Sequence, residues 1–337
     1  MNRRTFLFGL TLGALSAPLA AEAQQAGKVY RLGILANTPP TTPEVSRNWE
    51  SFWWGLRERG WVEGQNILIE SRYAEGRVER FSSLAAELVS LKPDLIVAVP
   101  GTWAGHAAKQ ATSTIPIVFV YGFDPVGTGL VASLAHPGGN ITGLTVVADL
   151  QIVGKQLELL KEAVPKVSRV AALTEGLSAA EGSRVNAATL LRETHVAAQA
   201  LAVKLQVLDV RSPNELESAF AAMTKERAGA LLVLPHSLTF VHAKRIADLA
   251  AKSRLPAVYG FRESAEAGGL MAYSASAPDM FRRAAAYVDR ILRGATPGDL
   301  PIEQPTKFEL VINLKTAKAL GLTISPSVLG RADQLIQ

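Results

Sequence analysis

DLIVAVPGTWAGHAAKQATSTIPIVFVYGFDPVGTGL, residues 94–130, and GALLVLPHSLTFVHAKRIADLAAKSRLPAVYGFRESAEAGGL, residues 229–270, carry the same order of features. Each opens with a short apolar run, turns at a proline-headed loop (Pro100, Pro235) and continues as a helix-like stretch. Each then steps through Ile-Pro or Leu-Pro into a second apolar run that ends Tyr-Gly-Phe, followed later by Gly-Leu. Short apolar runs suit buried strands and the longer amphipathic stretches suit helices, so each segment reads as a βαβ unit. Equivalent positions lie 135 to 140 residues apart, which predicts two similar α/β lobes. Ligands of open α/β sheets bind beyond the carboxyl ends of the strands, so a cleft between facing lobes is the expected site.

Outward from these centres the alternation continues. Strands are expected at 29–36, 66–73, 95–99, 117–121 and 141–147, with helices at 44–59, 79–91, 102–111 and 126–135 between them. A second series runs through helix 151–164, strand 169–174, helix 184–202, strand 205–210, helix 213–225, strand 229–234, helix 238–252 and strand 256–259. Helix 278–293 fits a return to the first lobe, after which 302–313 cross back. The predicted fold class is α/β, with two Rossmann-like, doubly wound parallel-sheet lobes joined by a hinge. The chain divides into an export segment at 1–23, lobe I at 28–146 plus 277–300, and lobe II at 147–276 plus 301–337.

Composition narrows the function classes. Of 337 residues 48% are apolar and 19% charged, which excludes wholesale disorder. No apolar run reaches the roughly 20 residues of a membrane-spanning helix. The absence of cysteine excludes disulfides, thiolate metal sites, a thiol nucleophile and a lipid-modified N-terminal cysteine. The net charge of +5 is spread without a basic run longer than two, so no nucleic-acid partner is expected.

Gly127-Thr128-Gly129-Leu130-Val131-Ala132 imitates a dinucleotide fingerprint with Asp149 beyond it, but Pro125-Val126 stand where the strand-to-helix turn belongs. Five histidines (His106, His136, His195, His236, His242) show no metal-ligand spacing, and no G-x-S-x-G elbow is present. No catalytic residue, metal or cofactor is assigned. An NAD-dependent oxidoreductase is the enzyme alternative that this fingerprint leaves.

Met1-Asn2-Arg3-Arg4-Thr5-Phe6-Leu7 precedes an uncharged stretch to Ala21, and Ala21-Glu22-Ala23 fits a small-x-small cleavage site. The paired arginines resemble a twin-arginine export signal. Export without a lipid-anchored cysteine predicts a free periplasmic protein, expected to be a monomer.

FDPVGTGLVASLAHPGGNITGLT (123–145), YGFRESAEAGGLMAY (259–273) and PTKFELVINLKTAKALGLTI (305–324) resemble the ABC-transporter solute-binding family related to tryptophan- and phenylalanine-binding members. The resemblance spans essentially the whole chain after residue 23. It implies a type I periplasmic-binding-protein fold with two hinged lobes and three crossovers. It also implies closure on a small molecule, an aromatic amino acid or a small aromatic or carboxylate compound, and delivery to a permease in the inner membrane. A sensor with the same fold that docks a receptor is the alternative output.

The candidate ligand-binding residues sit on loops after predicted strands. Gly101, Thr102 and Trp103 open a helix whose free N–H groups favour a carboxylate; Thr102 suits its N-cap, and Trp103 suits stacking on an aromatic ligand. Asp124 and Pro125 follow the next strand, where Asp124 either caps a helix or meets an ammonium group. Asn37 and Thr38 follow the first strand. In the second lobe His236, Ser237, Phe261 and Arg262 occupy matching positions, with Ser237 as a cap and Arg262 as a fork for an anion. The family commonly carries Asp after the loop proline, where this chain has His236-Ser237, and this departure weakens the case for an amino-acid ligand over a carboxylate.

Overall fold

The computed structural model describes residues 28–146, 152–175 and 181–337. The export segment assigned at 1–23 lies outside the described residues. The chain begins with β1 (Tyr30–Ala36), α1 (Pro43–Arg57), β2 (Ile67–Tyr73), α2 (Phe81–Ser90), β3 (Leu95–Val99), α3 (Gly101–Ala111), β4 (Ile117–Gly122) and β5 (Ile141–Thr145). These strands form a parallel sheet in the order β2-β1-β3-β4-β5. Strand alternation sorts its side chains. Leu32, Ile34, Leu95, Val97, Val118 and Val120 face one apolar layer, and Leu35, Ile96, Ala98, Ile117 and Phe119 face the other.

The second series is α4 (Ile152–Ala163), β6 (Arg169–Thr174), α5 (Glu181–Ala200), β7 (Lys204–Asp209), α6 (Leu216–Lys225), β8 (Ala230–Val233), α7 (Ser237–Val241), α8 (Ala243–Lys252), β9 (Ala257–Tyr259), α9 (Arg262–Glu266) and β10 (Met271–Ala275). The chain continues through α10 (Ala277–Leu292), β11 (Phe308–Asn313), α11 (Leu314–Ala319), α12 (Pro326–Leu329) and β12 (Gln334–Ile336). The second sheet has seven strands in the order β12-β11-β10-β9-β8-β6-β7, parallel except that β11 runs antiparallel to β10.

The chain passes between the sheets repeatedly. After β10 it returns to the first sheet, where α10 buries Phe281, Ala285 and Val288 against α1 and its neighbours. Residue 303 then lies beside β5: Glu303 N–H donates to Gly143 O and Thr145 N–H to Glu303 O, both at 3.0 Å. From there the chain re-enters the second sheet at β11. The two later crossovers are tied together, since Ser276 N–H donates to Lys307 O at 2.9 Å and Ser276 Oγ donates to Glu309 Oε1 at 2.5 Å.

The expected helix at 126–135 is absent. Asp124 (φ 36°) and Gly129 (φ 73°) take left-handed backbone, and Asp124 Oδ1 accepts the Gly127 N–H at 2.7 Å, so the segment folds as successive turns. The helix expected at 238–252 is broken at His242, whose φ of −102° and ψ of 23° end α7 before α8 starts.

Candidate ligand-binding cleft

The repeated motifs build the same local packing twice. A Cβ on Gly101 would lie 2.8 Å from Phe119 Cδ2 and 2.9 Å from Gly122 N, so α3 starts directly against the Tyr121-Gly122-Phe123 turn. In the second lobe a Cβ on Gly260 would lie 2.7 Å from Pro235 Cβ and 3.0 Å from Pro235 N. In both lobes the proline-headed loop and the glycine of Tyr-Gly-Phe touch, and only a residue without a side chain fits. Pro100, not Thr102, occupies the N-cap position of α3. The buried Thr102 hydroxyl instead latches the next loop, accepting the Phe123 N–H at 2.9 Å.

The two phenylalanines so placed meet each other. Phe123 and Phe261 pack edge to face at 5.4 Å and 77°. Phe240 joins Phe261 at 5.0 Å, Tyr121 lies 6.0 Å from Phe240, and the His236 imidazole stacks on Phe123 at 6.3 Å. This aromatic seam runs between the carboxyl ends of the two sheets. Tyr121 adopts φ 64° where the β4–β5 register shifts, a left-handed backbone that costs a non-glycine residue about 1–3 kcal/mol. Burial, with Glu263 and Glu309 nearby, pushes its phenol well above the ordinary range, so it stays neutral.

The remaining predicted residues divide by what holds them. Asn37 is half-buried and its Oδ1 accepts the Gly76 N–H at 3.2 Å, while Thr38 is exposed. Trp103, in the first turn of α3, is half-buried and packs against the apolar layer that α2 and α3 form on the first sheet. Pro125 is buried beside the Asp124 turn. His236 Nε2 lies 3.2 Å from Thr174 Oγ1, and burial pulls its pKa down to about 4, which leaves it neutral at pH 7. The backbone of Ser237 opens α7; its side chain lies outside the described residues. Arg262 is no open fork: Nε donates to Glu266 Oε1 at 2.7 Å and Nη1 to Glu309 Oε2 at 2.8 Å, with the side chain almost fully buried.

Residues 43–336 match the family model described as ABC transporter substrate binding protein. The chain belongs to that family. A relative called tyrosine-binding protein, from Clostridioides difficile (strain R20291), is 27% identical over 83% of this chain and 78% of its own. The ABC domain in complex with L-Trp from Streptococcus pneumonia is 26% identical, with a TM-score of 0.77 over 92% of this chain and 100% of that one. A conserved domain protein from Vibrio cholerae is 27% identical, with a TM-score of 0.76 over 91% of this chain and 100% of that one. The fold is that of the type I periplasmic binding proteins.

Substrate-binding proteins of this family bind rather than catalyse. Among the described residues no helix is long and apolar enough to cross a membrane, and no cluster of His, Asp and Glu suits a metal ion. Sequence reasoning missed Tyr121, Phe240, Thr174 and Glu175. Tyr121 was visible as the first member of a repeated tripeptide. Glu175 directly follows a predicted strand; its Oε2 accepts the Leu238 N–H at 2.8 Å, and burial raises its pKa. Phe240 carries no signal of its own, because it lies inside the expected helix 238–252 away from the repeated motifs.

Proposed function

We propose that the protein is the solute-binding component of an ABC importer, and that it captures an aromatic amino acid or a small aromatic carboxylate between its lobes for delivery to a permease. The observation that carries the reading is the aromatic seam of Phe123, Phe261, Phe240 and His236, set across two facing lobes beside the start of α3. Rings of this kind offer flat apolar contact to another ring. The first N–H groups of an eleven-residue helix lack intrahelical partners and favour a carboxylate. The names of two relatives point the same way, one as a tyrosine-binding protein and one as a complex with L-Trp.

In this reading Asn37, Thr38, Gly101, Thr102, Trp103, Asp124 and Pro125 form the first-lobe wall, and His236, Ser237 and Phe261 the second. Arg262 positions Phe261 from behind through its two carboxylates. A ligand that touches both walls binds the closed arrangement better and shifts the hinge equilibrium toward it. Lobe I is 28–146 plus 277–300 and lobe II is 147–276 plus 301–337, with export of residues after Ala23 by the twin-arginine route, and the product is a periplasmic monomer.

Thermal-shift screening against aromatic amino acids and their deamino analogues tests the proposal. A ligand at 100 times its Kd stabilises by about 2.7 kcal/mol, a clear rise in Tm. Trp103→Ala is expected to weaken an aromatic hit about tenfold or more, given roughly 1–3 kcal/mol for a buried aromatic contact. A screen in which no aromatic compound raises Tm overturns the ligand class.

A further inference from the structure

Next to the crossovers that follow Val146 and Ala275 lies a partly open chamber of about 10 Å³, the room of a single oxygen-sized group. Both lobes wall it: Tyr121 and Val146 come from the first, and Gly260, Phe261, Ser274 and Ala275 from the second. Among the described residues the rest of the wall is aliphatic, Ile152, Leu190 and Pro235, and none of the lining residues is charged. Ser274 is 4% exposed, and its Oγ has no hydrogen-bond partner among the described residues. A buried hydroxyl without a partner is costly, so such a group marks a place where a partner is expected to arrive.

We infer that Ser274 reads a hydroxyl on the far end of the ligand's ring, so that the cleft selects a phenolic amino acid over one with a bare phenyl ring. The inference rests on the capture of an aromatic amino acid proposed above. In this reading the ring lies against Phe261, which belongs to both the seam and the chamber wall, with its carboxylate toward the start of α3 and its far end toward the chamber. A para hydroxyl is then the first atom to enter the chamber. The serine hydroxyl both donates and accepts, so it pairs with a phenol in either sense.

Tyr121 borders the chamber, and its own phenol is held neutral by burial with Glu263 and Glu309 nearby. A mostly apolar wall of this kind disfavours a carboxylate, which is costly to bury without a partner. It therefore also sets the ligand's direction, head outward and ring inward.

Calorimetric titration of the full chain and of Ser274→Ala with L-tyrosine and L-phenylalanine decides the matter. The expected result is a tyrosine preference of about tenfold in the parent protein, the scale of one buried neutral hydrogen bond. In Ser274→Ala the tyrosine-to-phenylalanine ratio is expected to fall to about two or less. Circular dichroism and Tm establish that the variant is folded. A parent protein that binds phenylalanine as well as tyrosine, or a preference that survives in Ser274→Ala, overturns the role of Ser274 and leaves aromatic capture standing. If neither these nor other aromatic amino acids bind, the capture reading falls and this inference falls with it.

Discussion

Gly260 stands where a methyl group would press on the Pro235 ring and backbone at once. Gly260→Ala is therefore expected to cost about 1–3 kcal/mol, the usual penalty for overpacking a rigid core, and to lower Tm in a melting experiment. Two buried titratable groups give opposite pH slopes. His236 falls from 6.5 to about 4 on folding, so the unfolded chain binds its proton more readily and stability drains away as pH drops from about 6.5 to about 4. Glu263 rises from 4.5 to about 7 because it is buried, so its share of stability is complete below about 4.5 and is lost as pH rises through about 7. Glu263→Gln is expected to raise Tm at pH 8 and to leave it nearly unchanged at pH 4.5; a gain of equal size at both values contradicts the assignment. At this scale the sequence was legible where chemistry is local. The repeat pointed to the Tyr-Gly-Phe turns and proline-headed loops that the structure packs together, whereas the pairing of Arg262 with Glu309 was hidden because Glu309 lies 47 residues downstream.

Elements were read well where burial and period agree. The strand at 95–99 was legible in full and the one expected at 141–147 ends at Thr145, because their side chains meet packed layers, and the helix expected at 278–293 is α10, which packs on α1 beside the first sheet. The segment at 126–135 misled because its apolar spacing resembles a helix, while Asp124 and Gly129 set left-handed backbone that no helix accepts. β11 was read only as a crossing segment, since antiparallel pairing with β10 depends on where the chain returns rather than on composition. That return is held by a buried ionic group in which Glu309 takes Arg262 from α9 and Ser276 from the preceding crossover. Removing one member of such a group leaves a buried charge short of a partner, at a cost of about 3–5 kcal/mol. Glu309→Ala is expected at the lower end of that range, because Glu266 still pairs with Arg262, and denaturant unfolding measures it.

At the scale of the whole molecule, two lobes and a cleft followed from an internal repeat, but how the lobes hold each other did not, because those contacts join residues far apart in the chain. The clearest is polar: Arg47 on α1 reaches Glu266 on α9 at 3.4 Å and Gln334 on β12 at 3.5 Å, outside the aromatic seam. Arg47 is partly exposed, so the pair is screened by water and salt and is worth roughly 0.2–1 kcal/mol. Because it joins elements of opposite sheets without lying on a cleft loop, its effect on a ligand passes only through the balance of open and closed lobes. Arg47→Ala is thus expected to weaken ligand binding about two- to fivefold, with the change in the closing equilibrium rather than in ligand contacts. Small-angle scattering without ligand is expected to show a larger mean radius for the variant, and saturating ligand is expected to bring both proteins to the same radius. The affinity difference should also shrink at 1 M salt, where the Debye length is about 3 Å. Equal affinities at low salt would show that this contact does not bias closure, and would leave the aromatic seam as the bond between the lobes.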